Sequence, residues 1–165
     1  MLNLLILAAL TALAPFSDAA AKNPDTYTYL SISDADTLDP AWAYDSKSHN
    51  IILNVYEGLF MYDGASTEKL VGVLAEKVPS RANGLISKDG RTYTIPIRKG
   101  VAFHDGTPLT VDDVRYSILR FLLLDRAAGP SSLLLQPMLG RPSTRDEKGK
   151  LILSTWDEAN KAVTV

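Results

Sequence analysis

Apolar residues recur with helical spacing in two parts of the chain. The first part starts after Asp45 or Ser46, either of which can cap a helix, and Gly58 can end it. Its apolar positions fall in adjacent pairs on one helical face: Ile51, Ile52, Val55, Tyr56, Leu59 and Phe60. The second part starts at Thr110, which has the spacing to Asp113 of a capping box. Its predicted buried stripe consists of Val114, Ile118, Phe121 and Leu122, with Arg115 and Arg120 outside it.

Alternation with a period of two predicts strands elsewhere. Residues 27–32 are rich in aromatic and β-branched side chains and read as a strand. Residues 93–97 alternate apolar and polar side chains after the turn pair Asp89-Gly90, which predicts a half-buried strand. Pro96 lies inside that strand and has no N–H, so the strand is expected at an edge or with this nitrogen towards solvent.

The last third of the chain has a weaker pattern. Prolines, glycines and a charged run predict a loop over residues 131–149. Residues 151–155 and 161–165 are predicted as two strands around a turn at residues 156–158. Since the sequence stops within the second of these strands, we expect a truncated chain.

The first segment has the pattern of a secretory signal. Residues 2–14 are almost wholly apolar, a shorter run than the roughly 20 residues of a membrane span. The small residues 19–21 that follow predict cleavage after Ala21. A buried helix or a misplaced start site would also explain the pattern.

Composition narrows the possible functions. The 165 residues carry 17 basic and 19 acidic side chains, and this net charge of −2 argues against a nucleic-acid partner. The absence of Cys excludes disulfides, thiolate metal sites and Cys nucleophiles. Two histidines cannot form a His-rich metal centre, so neither a metal nor a cofactor is expected.

His104 beside Asp105 is the one pair that suggests acid–base chemistry. A general base needs a nucleophile within reach, and no serine lies in a G-x-S-x-G elbow. The segment His104 to Pro108 is better explained as a turn. A non-enzyme is therefore expected, with an exported enzyme of unrecognised site as the alternative.

Several short segments, in order, resemble one family. They are TLDP (37–40), NVYEGLF (54–60), SKDGRTYT (87–94), IRKGV (97–101), FHDGTPLT (103–110) and DDV (112–114). This ordered set resembles the family 5 extracellular solute-binding proteins, the receptors of oligopeptide, dipeptide and nickel ABC importers.

The resemblance implies an α/β fold of the periplasmic-binding-protein-like type II class, in which two lobes close on a ligand. Residues 1–21 would be the signal peptide and residues 22–45 the start of lobe I. Residues 46–165 would form the extra α/β subdomain of lobe I and its return towards that lobe. The second lobe would follow Val165, which makes the chain an N-terminal fragment.

The resemblance also places the binding segment. In related receptors the residues after the LDP turn line the cleft, here residues 41–46, with Trp42, Tyr44 and Asp45 as ligand-binding candidates. Main-chain pairing there would suit peptides of many sequences. Trp42 and Tyr44 could instead be packing residues of a loop.

The predicted function is a periplasmic receptor, expected to be a monomer, that captures oligopeptides or dipeptides and delivers them to an ABC permease in the inner membrane. The same sequence also admits a receptor for a nickel chelate, oligosaccharide or opine, or a stand-alone interaction domain.

Overall fold

A computed structural model describes residues 23–126 and 129–165. Contacts divide the chain into two compact units, residues 1–32 and residues 33–165. The predicted signal segment, residues 1–21, lies outside the described residues. This division falls after residue 32 and does not test the predicted boundary at residue 45, which stays a prediction.

The described part of the first unit, residues 23–32, contains no helix or strand. Tyr27, Leu30 and Ile32 are 90%, 87% and 106% exposed, and no described strand pairs with this segment. The predicted strand at residues 27–32 is therefore wrong for this structure. Aromatic and β-branched residues favour strands mainly because their side chains pack against neighbouring strands, and the side chains of Tyr27, Leu30 and Ile32 are exposed.

Helix α1 spans Ser46–Val55, and its start confirms the predicted cap. The Asp45 side chain accepts a hydrogen bond from the Ser48 N–H at 2.8 Å. The helix ends earlier than the apolar pattern predicts, because the following residues pair as a strand. The Leu59 carbonyl accepts hydrogen bonds from the N–H groups of Val73 and Ala75, at 2.9 and 3.2 Å.

Strands β1, Phe60–Tyr62, and β2, Leu70–Gly72, form an antiparallel pair in which Phe60 lies opposite Gly72. The predicted strand at residues 93–97 is reduced to isolated bridges, Ile86 with Tyr93 and Ala75 with Ile97. Pro96 takes part through its carbonyl, which accepts the Glu76 N–H at 2.9 Å.

The turns predicted at Asp89-Gly90 and at His104 to Pro108 are confirmed. Gly90 (φ 74°) donates its N–H to the Ser87 carbonyl, and Gly106 (φ 87°) donates to the Phe103 carbonyl. Both glycines occupy the left-handed region that other residues avoid. His104 and Asp105 therefore belong to a tight reversal between Phe103 and Thr107.

Helix α2 spans Val111–Leu123 and begins with the predicted capping box between Thr110 and Asp113. Its buried side chains are Leu119 and Leu122, so the predicted stripe is right at Leu122 and misses Leu119. The other three predicted positions, Val114, Ile118 and Phe121, are partly buried. The buried face is rotated because two further helices pack on α2.

These two helices replace the loop and strands predicted for the last third. Helix α3, Ser132–Leu139, lies in the predicted loop, and α4, Ser154–Ala162, spans the predicted turn and parts of both predicted strands. Gly140 ends α3 in the left-handed conformation (φ 70°). The glycine that suggested a loop is therefore a helix C-cap.

The last residues are not a strand either: Val163 caps α4 and is buried. The core of this unit lies between α2, α3 and α4 and consists of Leu119, Leu122, Leu135, Ala159 and Val163. Among the described residues, no helix has the length and apolar character needed to cross a bilayer.

Candidate ligand-binding groove

The LDP segment forms a tight turn that ends beside α1. The Asp39 carbonyl accepts hydrogen bonds from the N–H groups of Trp42 and Ala43, at 3.0 and 2.9 Å. The Asp39 side chain accepts the Ala41 N–H at 2.9 Å. Pro40 fixes the backbone angle at the start of the turn. The sequence therefore shapes residues 39–43 locally, before any tertiary contact.

The beginning of α1 directly follows this turn in the chain. Hydrogen bonds from Ser48 hold the pKa of Asp45 below its usual value, so Asp45 is ionised at neutral pH. The Ser48 hydroxyl is buried and accepts the Thr37 N–H at 3.2 Å. Ser48 thus connects the residues before the turn to the helix after it.

An ion pair joins the turn to α2. The Arg120 guanidinium donates two hydrogen bonds to the Asp39 carboxylate, at 2.6 and 2.5 Å. Both side chains are about two-thirds buried, at 33% and 28% exposure. The hydrogen bonds from Arg120 lower the pKa of Asp39, against the opposing effect of burial.

Trp42 makes a second set of contacts with the end of α2. Its indole Nε1–H donates to the Leu124 carbonyl at 2.8 Å, and the Arg126 guanidinium lies 5.3 Å from the centre of its ring. Arg126 also donates to the Asp36 carboxylate at 2.5 Å and to the Trp42 carbonyl at 3.2 Å. The indole therefore fastens the loop to the helix.

Between this loop and the helices lies an open groove of about 570 Å³. Its lining includes polar residues of the loop and the beginning of α1: Tyr44, Asp45, Ser46, His49 and Asn50. It also includes apolar residues: Phe121 and Leu133, from α2 and α3, with Pro40, Ala43 and Pro130. A groove with apolar contact area and a few polar groups is the usual form of a small-ligand site.

Two of the three predicted binding residues, Tyr44 and Asp45, line this groove, and Trp42 does not. Sequence reasoning missed Phe121 as a groove residue, because it belonged to a predicted buried stripe. It missed Leu133 because the region was predicted as loop. No local signal marks either residue, since the groove exists only once α3 has packed on α2.

The other chemistry considered from the sequence is not assembled. The Asp105 carboxylate accepts the Thr107 N–H at 2.9 Å within its own turn, and this hydrogen bond lowers the pKa of Asp105. Within residues 23–126 and 129–165, no group of three or more potential metal ligands comes together.

Comparison with known proteins gives a family match over residues 69–163, to the family described as bacterial extracellular solute-binding proteins, family 5 Middle. The match includes the apolar floor of the groove, and the turn lies before it. Similar relatives are the glutathione-binding protein GsiB of Pectobacterium atrosepticum, of Escherichia coli strain K12 and of Shigella flexneri. Each is 38% identical over 98 residues, which is 59% of this chain and 16% of the relative. No solved structure matches.

Proposed function

Because the chain belongs to family 5 of the bacterial extracellular solute-binding proteins, we propose that it is part of the solute receptor of an ABC importer. A family of binding proteins makes it a non-enzyme, and the family implies a periplasmic-binding-protein-like fold. The matched region covers about a sixth of the relatives' length, so the action of a whole receptor is part of the proposal.

We propose further that the solute is a short peptide. The relatives are named for glutathione, which is itself a tripeptide. The observation that supports this best is the groove, which Tyr44 and Asp45 line together with the apolar residues Phe121 and Leu133. Its volume of about 570 Å³ is within the range of small-ligand sites.

We propose a mode of recognition that differs from the main-chain pairing implied by the resemblance. The N–H groups of Trp42 and Ala43 are bonded within the turn, and the Trp42 carbonyl accepts Arg126. The two N–H groups are therefore not available to donate to a peptide backbone in the way that the resemblance implies. We propose that side chains at the groove, Tyr44 above all, supply the contacts, and that Trp42 positions the segment.

Calorimetric titration of the full chain with di- and tripeptides tests this proposal. Tyr44→Ala should weaken peptide binding by roughly tenfold or more, as loss of an aromatic contact residue does. Tyr62→Ala is the matched control, since Tyr62 is similarly exposed (55% against 62%) but does not line the groove. Binding of a nickel chelate or oligosaccharide in place of every peptide would replace the ligand class. No binding of any solute would refute the receptor role.

We also propose export to the periplasm, action as a monomer and delivery to a membrane permease. Export is supported by the apolar segment at residues 2–14 and the small residues 19–21. Expression of the full chain in a bacterium, followed by N-terminal sequencing of the periplasmic fraction, should give Lys22 as the first residue. Retention of Met1 in the cytoplasm would contradict export.

A further inference from the structure

The floor of the groove is an apolar surface that the described chain leaves open. Leu133 lies on α3 with 60% of its surface exposed, and it lines the groove together with partly buried Phe121. These two side chains, one aliphatic and one aromatic, offer contact area without any hydrogen-bonding group. Such a surface gains free energy when it is covered by another apolar group.

The charge around the groove has one sign. Asp45 is the only carboxylate among the described residues that line it, and neither Lys nor Arg is among them. The two arginines that reach this loop from the end of α2 are already bound, Arg120 to Asp39 and Arg126 to Asp36. A negatively charged ligand group would therefore meet an ionised carboxylate and, within this lining, neither a Lys nor an Arg side chain.

We propose that the groove is a subsite for an uncharged apolar side chain of the solute, aromatic or branched aliphatic, and that it discriminates against anionic groups. This inference rests on the receptor role proposed above. The side chain of the solute packs on Phe121 and Leu133. The hydroxyl, imidazole and amide groups of Tyr44, His49 and Asn50 form the polar part of the subsite. Covering this floor should strengthen binding by roughly tenfold to a hundredfold.

The charge of this groove does not suit glutathione. Glutathione carries two carboxylates and one ammonium group, and carboxylates are usually held by arginine or lysine. If this chain binds glutathione, the carboxylates must lie away from the groove. A like charge at about 5 to 6 Å from Asp45 in a partly solvated site weakens binding by roughly tenfold.

Two capped amino acids that differ in charge and in apolar surface provide the test. N-acetyl-phenylalanine amide is neutral and aromatic, and N-acetyl-glutamate amide is anionic. Each is titrated into the full chain labelled with ¹⁵N and ¹³C, and chemical shifts are followed. The neutral probe should shift the side-chain signals of Tyr44, His49 and Phe121. The anionic probe lacks the aromatic ring and carries the like charge, so it should need more than roughly tenfold higher concentration for the same shifts.

Substitutions of Leu133 test whether charge in the groove decides which probe binds. Leu133→Glu should abolish the chemical-shift response to the neutral probe. Leu133→Lys should allow the anionic probe to bind and to shift the same signals. Leu134→Lys is the control, because Leu134 is the next residue of α3, is 38% exposed and does not line the groove. Unchanged methyl signals of the buried residues Leu122 and Leu135 show that each variant is folded.

The outcomes distinguish this inference from the receptor proposal. If peptides bind but the neutral probe shifts signals elsewhere, or the anionic probe acts equally well, the subsite is refuted and the receptor role stands. The same holds if Leu133→Lys and Leu134→Lys respond alike. If no peptide and neither probe binds, both proposals fail together.

Discussion

Replacing Asp39 by asparagine should loosen the turn from α2 while the turn keeps its own shape. Asparagine retains the oxygen that accepts the Ala41 N–H, but it loses the charge that Arg120 binds with two hydrogen bonds of 2.6 and 2.5 Å. Exposed ion pairs contribute about 0 to 1 kcal/mol to stability. Paired hydrogen bonds between charged groups contribute more when they are partly shielded from water. With exposures of 28% and 33%, we expect Asp39→Asn to lower the free energy of unfolding by about 1 to 2 kcal/mol.

Two measurements follow the effect of Asp39→Asn. Urea unfolding gives the change in stability, and fluorescence in a Trp156→Phe background leaves Trp42 as the reporter of the loop. Loosening should make Trp42 more accessible to acrylamide, because the indole is fastened to the same end of α2. The control is Asp63→Asn, which removes an equally short but more exposed ion pair with Lys69. The control should change stability by less than about 0.5 kcal/mol and leave Trp42 unaffected.

The pH dependence of the Asp39–Arg120 pair has a definite sign. Arg120 holds the pKa of Asp39 below its ordinary value of 3.8. A carboxylate with a lowered folded-state pKa stabilises the fold above the unfolded pKa, and this contribution is lost as the pH falls through the folded value. The stability difference between wild type and Asp39→Asn should therefore be constant near neutral pH and shrink below about pH 4.

Three results would refute this reasoning. One is a stability change for Asp39→Asn no larger than that for Asp63→Asn. Another is unchanged acrylamide quenching of Trp42, which would separate the ion pair from the loop. The third is a stability difference that stays constant as the pH falls well below 4.

Further predictions concern packing, backbone and capping, each measured by urea unfolding. Leu122→Ala should cost about 2 to 5 kcal/mol because Leu122 is fully buried between helices, whereas Leu53→Ala, at an exposed position of α1, should change stability little. Gly72→Ala should destabilise more than Gly100→Ala, since a Cβ at Gly72 would lie 2.2 Å from the Ala75 carbonyl oxygen, and one at Gly100 meets only the cost of its positive φ. Thr110→Val should cost about 1 kcal/mol through loss of the helix cap.

Local signals in the sequence predicted local structure well. The cap at Asp45, the capping box at Thr110 and the turn at Gly90 each depend on hydrogen bonds or backbone angles within a few residues. The same energies act in any surrounding fold, so the residue types alone identify them. The candidate binding residues Tyr44 and Asp45 were placed by the family resemblance, whereas the local signals predicted only the turn and the helix cap beside them.

The last third of the chain shows where this reasoning fails. Ser132–Leu139 carries Pro137 and is followed by Gly140, which suggested a loop, yet the helix forms because Leu135 is buried among α2 and α4. The helix Ser154–Ala162 likewise buries Ala159 against the same core. Short segments of mixed pattern take the structure that their packing partners favour, and those partners are distant in the sequence.

The groove depends on the same kind of distant contact. Asp39 and Arg120 are 81 residues apart, and each was interpreted by itself, one as a turn residue and the other as a position outside the buried stripe. Their ion pair gives a physical reason why the LDP segment and the helix that begins at Thr110 appear together in the family resemblance. A carboxylate at the turn is useful only where an arginine reaches it from α2, and an unpaired arginine there would be partly buried at a cost. The ion pair therefore holds the turn against α2, so that Tyr44 and Phe121 line the same groove.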